Sequence, residues 1–179
     1  MRNDVITREH EPSIVGTAAP LVLTLADEAA TAQLAARLAA QPLVRDAFIA
    51  LHGDLGAGKT SFVRHLLRAL GVTGRIKSPT FAVVEPHQPP EGLPVWHFDF
   101  YRFADPREWE EAGFRDIFAA PGLKLAEWPE NVASALPRAD LELHLSPVDG
   151  GADDARQARL VAHGERGSRL LRAAQEDAA

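Results

Sequence analysis

Residues 53–60 read GDLGAGKT, a complete G-x-x-x-x-G-K-[ST] phosphate-binding loop, and the pattern demands one kind of backbone. Gly53, Gly56 and Gly58 let the chain curl with successive N–H groups facing inward. The curl is an anion nest, and the helix that follows points its partial positive end at the same spot. Lys59 is the point charge for β- and γ-phosphates, and the Thr60 hydroxyl is a candidate Mg²⁺ ligand. With Asp54, Leu55 and Ala57 inside the loop and Ser61 just after it, residues 53–61 form the candidate nucleotide-binding segment.

The flanks agree with that assignment. Residues 47–52 (AFIALH) are a short apolar run suited to a buried parallel strand. Residues 59–70 carry Phe62, Val63, Leu66, Leu67 and Leu70 at helical spacing, and Gly71 fits a C-terminal cap.

At 179 residues and 46% hydrophobic content the chain suffices for one full α/β core. A formal net charge of −6 speaks against a broad basic surface for DNA or other nucleic acid. The absence of cysteine excludes disulfides, thiolate metal sites and a cysteine nucleophile. The charged start MRNDVITREHEPS has no apolar core of a signal peptide and no later run approaches a membrane span, so the expected location is the cytoplasm, with no membrane partner.

Pattern reading divides the rest. Residues 1–20 show no periodicity and are expected to be a disordered extension. Residues 21–25 read as a strand, and Asp27 caps a helix that turns Ala30, Leu34 and Leu38 inward. Ser78-Pro79 breaks the chain before a strand over 80–85, which pairs as a hairpin with the strand 95–99. A short helix runs from Asp105-Pro106 to Ala112 and closes at Gly113. Further strands are expected at 123–127, 141–145 and 158–162, with residues 163–179 a weakly helical tail. The fold expected for 21–162 is therefore a single α/β domain of P-loop NTPase-like type: a central, mostly parallel sheet flanked by helices, with an antiparallel hairpin.

A phosphate loop needs acidic partners at neighbouring strand ends. Asp99 closes the strand VWHFD and Glu127 closes LKLAE, where open α/β sheets place ligand groups. Both are candidates for catalysis and, with Thr60, for the metal. Thr80 in Ser78-Pro79-Thr80 stands where nucleotide switches carry a hydroxyl sensitive to the γ-phosphate. His97 and Tyr101 flank Asp99 at i−2 and i+2 and share its face if the strand continues. Nine of the twelve aromatic residues fall between Trp96 and Trp128, Trp109 among them, interleaved with Arg102, Arg107 and Arg115; core packing and a contact surface both fit. No arginine stands out as a finger beside the loop.

The segments GDLGAGKTSF, KSPTF, HFDFYR (97–102), EEAGFRDIF and LAEWPE (125–130) resemble, in order and spacing, the bacterial TsaE family, also called YjeE. The resemblance covers about residues 21–162. It implies an ATPase, slow alone, that uses ATP and Mg²⁺ and is required for threonylcarbamoyladenosine beside the anticodon of tRNAs. It also implies TsaB and TsaD as partners, with tRNA reached indirectly. By position it implies Thr60 and Glu127 as Mg²⁺ ligands, Lys59 as the phosphate-binding lysine and Asp99 as a residue needed for hydrolysis. Trp128 would lie beside the nucleotide, and Asp27 and Glu28 would approach it. Two departures are a longer charged N-terminus and Ser61 in place of the family's common second threonine. The residues alone leave open a small-molecule kinase, with the three arginines as a short lid, and a nucleotide-gated assembly switch. The lack of an N-K-x-D motif speaks against guanine nucleotides.

Overall fold

The computed structural model describes residues 18–105 and 107–176. The expectation for residues 1–20 therefore lies, up to residue 17, outside the described residues. In chain order the elements are β1 (Leu21–Leu25), α1 (Glu28–Ala39), β2 (Phe48–His52), α2 (Lys59–Ala69), β3 (Val84–His87), β4 (Val95–Asp99), α3 (Arg107–Glu111), α4 (Phe114–Ala119), β5 (Leu123–Glu127), β6 (Leu141–Pro147), β7 (Arg156–Ala162) and α5 (Gly164–Gln175). They build one seven-stranded sheet in the order β1-β7-β6-β2-β5-β4-β3. Its centre, β6-β2-β5-β4, is parallel, while β3 at one end and β7 and β1 at the other pair antiparallel. The P-loop NTPase-like α/β reading holds, with an antiparallel margin on both sides.

Alternation along the strands sorts side chains onto two faces. Ile49, Leu51, Leu123 and Leu125 turn toward α1, α2 and α5, meeting Leu34, Leu38, Phe62, Leu66, Leu67 and Leu170 in one buried cluster. Phe48, Ala50, Phe98, Phe100 and Ala126 turn to the opposite face and pack with Trp109, Phe114 and Val132. Each Leu, Ile, Val or Phe among them contributes about 1.5–3 kcal/mol when removed from water. The aromatic-rich stretch is thus largely core: Trp109 is only 3% exposed and makes a poor probe of any docking surface.

β6 runs two residues further than expected, to Pro147, and β7 begins two residues earlier, at Arg156; three other elements depart more. The strand expected from residue 80 begins at Val84, because residues 80–83 form a turn: Val83 has φ 68° and its N–H donates to the Pro79 carbonyl at 2.6 Å. A second short helix, α4, follows Gly113, which adopts φ 72°. The expected weak tail is a 12-residue helix with Leu170, Leu171, Ala173 and Ala174 buried. Gly167 weakens its helical signature, yet that glycine permits the packing: a Cβ there would lie 1.9 Å from the Asp140 carbonyl oxygen.

β3 is an edge strand, with Pro86 opposite Trp96 of β4. Among the described residues no helix is long and apolar enough to cross a membrane.

The loop joining β2 to α2 is anchored to β6 through Gly53, which has φ 141° and whose missing Cβ would sit 2.4 Å from the Leu145 carbonyl oxygen. Gly53→Ala is expected to lower unfolding free energy by about 1–3 kcal/mol, through left-handed strain and overpacking together. Urea denaturation monitored by circular dichroism checks this, and an unchanged midpoint would contradict it.

Candidate functional site

The alternation that sorts the core also sorts the chemistry. His97 and Asp99 on β4 and Glu127 on β5 share the sheet face covered by α2, whose first turn carries Lys59 and Thr60. Asp99 and Glu127 are direct partners in the parallel register of β4 and β5. Both are buried, two like-charged groups side by side at the carboxyl ends of neighbouring strands.

Each carboxylate is satisfied by a different set of donors. The Thr60 hydroxyl lies 2.9 Å from both Glu127 oxygens, and His97, fully buried, places Nε2 2.8 Å from Glu127 Oε1. His97 Nδ1 is buried with no hydrogen-bond partner among the described residues. Asp99 Oδ2 accepts from the Ser78 hydroxyl and, at 2.9 Å, from Thr80 Oγ1; its Oδ1 accepts from the Tyr101 N–H at 2.9 Å. The turn at 79–83 therefore has a purpose that strand patterning hid. It delivers Ser78 and Thr80 to Asp99.

Of the two side chains expected to share the face of Asp99, one does through the strand. His97 shares the face of Asp99 but is bonded to Glu127 on the next strand. The strand stops at Asp99, so Tyr101 reaches the site through a turn, its ring 5.0 Å from that of Trp128.

In the loop, Gly53, Gly56 and Gly58 all take positive φ, and Gly58 directly precedes α2 in the left-handed region. Lys59 is buried at the loop's centre. Its ammonium donates to the carbonyls of Gly53 and, at 3.0 Å, Asp54, and lies 4.0 Å from the centroid of the Trp128 ring. Burial pushes its pKa below the usual lysine range, against the opposing pull of Glu127, Glu130, Asp99 and Asp54. Trp128 holds that position through a left-handed backbone, φ 56°. Leu55 stands out at the loop tip, 77% exposed.

One cleft is lined by Leu55, Gly56, Gly58, Lys59, Thr60, Ser61, Ser78, Thr80, Asp99, Tyr101, Glu127 and Trp128, so most of the predicted residues come together. A neighbouring hollow is lined by Glu28, Ala57, Gly58 and Ser61. Asp27 does not line it; its carboxylate caps α1 by accepting from the Ala30 N–H at 2.8 Å. Glu28 also meets His65 at 3.1 Å. The oxygen donors of Thr60, Asp99 and Glu127 are hard ligands of the kind Mg²⁺ prefers, so the residues fit that ion.

Arg102 stacks on Phe81, while Arg107 and Arg115 pair on the surface with Asp105 and Glu110. None of the three lines the cleft. Sequence reasoning missed Arg156, the first residue of β7. It borders both hollows and donates to the loop carbonyl of Ala57 at 2.9 Å. Arg156 stands beside the loop bonded to backbone carbonyls, an arrangement different from that of an arginine finger. Arg156 is a hundred residues away along the chain and follows the acidic turn ADDA, where a cation reads as solvated.

Residues 25–157 match the family model described as "Threonylcarbamoyl adenosine biosynthesis protein TsaE". Curated relatives named tRNA threonylcarbamoyladenosine biosynthesis protein TsaE include one from Haemophilus influenzae, 41% identical over 69% of this chain and 75% of the relative. Another, from Bacillus subtilis, is 35% identical over 66% of this chain and 71% of the relative. Among solved structures, that of YdiB from Bacillus subtilis superposes with a TM-score of 0.71 at 26% identity, covering 88% of this chain and 95% of that one. On fold, motif placement and likeness to its relatives, the chain belongs to the TsaE family of tRNA threonylcarbamoyladenosine biosynthesis.

Proposed function

We propose that this chain binds Mg-ATP in the cleft between the loop, β4 and β5 and hydrolyses it in support of tRNA threonylcarbamoyladenosine synthesis, in the cytoplasm, with TsaB and TsaD as partners and tRNA engaged only through them. The observation that carries the reading is the contact of the Thr60 hydroxyl with both Glu127 oxygens, which brings the loop's metal-ligating position against a strand-end carboxylate. Thr60 and Glu127 would hold Mg²⁺, with Asp99 alongside, and the ion when bound supplies charge neutralisation on the phosphate oxygens.

The chain's own groups do the rest. Loop N–H groups cradle the phosphates and Lys59 exchanges its carbonyl contacts for phosphate oxygens. Trp128 walls the ammonium on one side, limiting its wandering. Asp99, fixed by Ser78, Thr80 and the Tyr101 N–H, orients the attacking water, and Thr80 stands near enough to register the terminal phosphate. Glu28 and Ser61 border the adjoining hollow where the nucleoside rests.

Hydrolysis by the isolated chain is slow because the mouth of the cleft is open. Leu55 and Tyr101 line it, and Phe81, next to Thr80, is 84% exposed. A partner seated there excludes water and fixes the 78–81 turn.

Three measurements test this. Lys59→Ala removes a charge-assisted contact worth about 1.5–3 kcal/mol, so the Kd for Mg-ATP should rise roughly 10- to 150-fold by calorimetric titration; unchanged affinity would rule out the loop as the nucleotide site. Glu127→Gln should raise the Mg²⁺ concentration needed for half-maximal phosphate release, whereas Asp99→Asn should mainly lower kcat. Wild-type rates in both variants would remove both carboxylates from the chemistry. Finally, TsaB and TsaD together should stimulate phosphate release by at least tenfold, and Phe81→Ala should blunt the stimulation while sparing the basal rate. Full turnover by the isolated chain, indifferent to partners, would favour a free-standing enzyme.

A further inference from the structure

Arg156 is hydrogen-bonded to the phosphate-binding loop from the start of β7. Its Nε donates to the Ala57 carbonyl at 2.9 Å, and one Nη2 hydrogen points to the Gly56 carbonyl at 3.4 Å. Its Nη1 donates to the carbonyls of Asp153 and Ala155, at 2.7 and 2.8 Å, in the turn that leads into β7. A planar cation thus ties two peptides of the loop to two peptides of the β6–β7 turn. It spends its hydrogen bonds on neutral backbone oxygens, and no salt bridge to it exists among the described residues.

The peptide it fixes is the important one. In a trans peptide the C=O and N–H point in opposite directions. With the Ala57 carbonyl turned to Arg156, the N–H of Gly58 is turned the other way, into the loop. The preceding N–H, of Ala57, is already taken by the Asp54 carbonyl at 3.0 Å, and the Gly58 carbonyl begins α2 by accepting from the Phe62 N–H at 2.9 Å. Gly58 therefore carries the N–H at the junction of loop and helix, in a residue whose φ of 103° leaves its plane easily reoriented. A Cβ on Gly58 would lie 3.6 Å from Arg156 Nε, so the guanidinium faces the side of Gly58 where a side chain would stand.

We propose that Arg156 is the positioning residue of the phosphate-binding loop: it locks the Ala57–Gly58 peptide with its N–H toward the anion and places a positive charge beside it, so that the diphosphate portion of the nucleotide meets a preformed donor. The proposal rests on the nucleotide-binding reading above. It makes the β6–β7 turn, which is remote in sequence, part of the nucleotide site. A lysine would keep the charge but has no planar fork to hold two carbonyls and its own turn at once.

Because the locked peptide faces the inner phosphates, the effect should not depend on the terminal one. Calorimetric titrations of Mg-ADP and Mg-ATP into the full chain, its Arg156→Ala variant and its Arg156→Lys variant test this, with the nucleotide-free thermal midpoint measured alongside. Arg156→Ala should weaken Mg-ADP and Mg-ATP alike, by about 10- to 100-fold, with the midpoint close to that of the parent chain. Arg156→Lys should recover only part of the loss. Arg156→Gln, which retains a donor for Ala57 without the charge, should fall between the parent and Arg156→Ala and serves where the alanine variant does not fold. Parental affinity in Arg156→Ala or Arg156→Gln would overturn the proposal, as would a loss confined to Mg-ATP, which would place the guanidinium at the terminal phosphate. Full recovery in Arg156→Lys would also overturn it, by reducing the role to charge. Failure of the parent chain to bind either nucleotide would instead remove the nucleotide-binding reading itself, and this proposal with it.

Discussion

Two buried carboxylates, Asp99 and Glu127, lie opposite each other at the ends of β4 and β5, and the arrangement around them follows from keeping that pair in place. Side-by-side acids out of water are costly unless donors or cations meet them. Here Glu127 has the Thr60 hydroxyl and His97, Asp99 has two hydroxyls and a backbone N–H, and Lys59 supplies positive charge nearby. The pairing exists only in one register. A slip of one residue between β4 and β5 would send one of the acids into the aromatic layer on the other face.

That aromatic layer is what makes the register stubborn. Phe98 and Phe100 flank Asp99 in sequence and point the opposite way, where they pack with Phe114, Phe118 and Phe103. Moving Asp99 means tearing large rings from a filled core, at several kcal/mol for each. The carboxylates thus borrow rigidity from residues that never touch them. His97 belongs to the same scheme from the polar side: fully buried and bonded to Glu127, it couples the two strand ends directly.

Much of this was legible in the chain. The loop motif, the apolar strand before it and the helical spacing after it needed no tertiary information, and acids closing VWHFD and LKLAE announced themselves by position. What stayed hidden depended on long-range geometry. The turn at 79–83 reads as strand because Phe81, Val83 and Val84 favour β structure, but the hydroxyl contacts with Asp99 prevail over that propensity. The last helix looked weak because Gly167 lowers its propensity, and only the nearness of the Asp140 carbonyl shows why a glycine is there. Arg156 carried no periodic or motif signal at all. Its role arises from the closure of β7 onto β6 and thereby onto the loop, a contact between residues a hundred positions apart.

The outer strand β3 shapes how this molecule behaves in a crowded solution. A sheet margin with a row of free N–H groups is a template on which a foreign strand can be laid down. At the start of the antiparallel pairing with β4 the Asp99 N–H donates to the Val83 carbonyl at 2.8 Å, and in the register that follows the backbone N of Val84 and of Pro86 lies on the outer side. At Pro86 that nitrogen bears no hydrogen. The four-residue strand therefore offers an incomplete ladder to any would-be neighbour, and the sheet resists lengthening into aggregates at the margin nearest its buried acids.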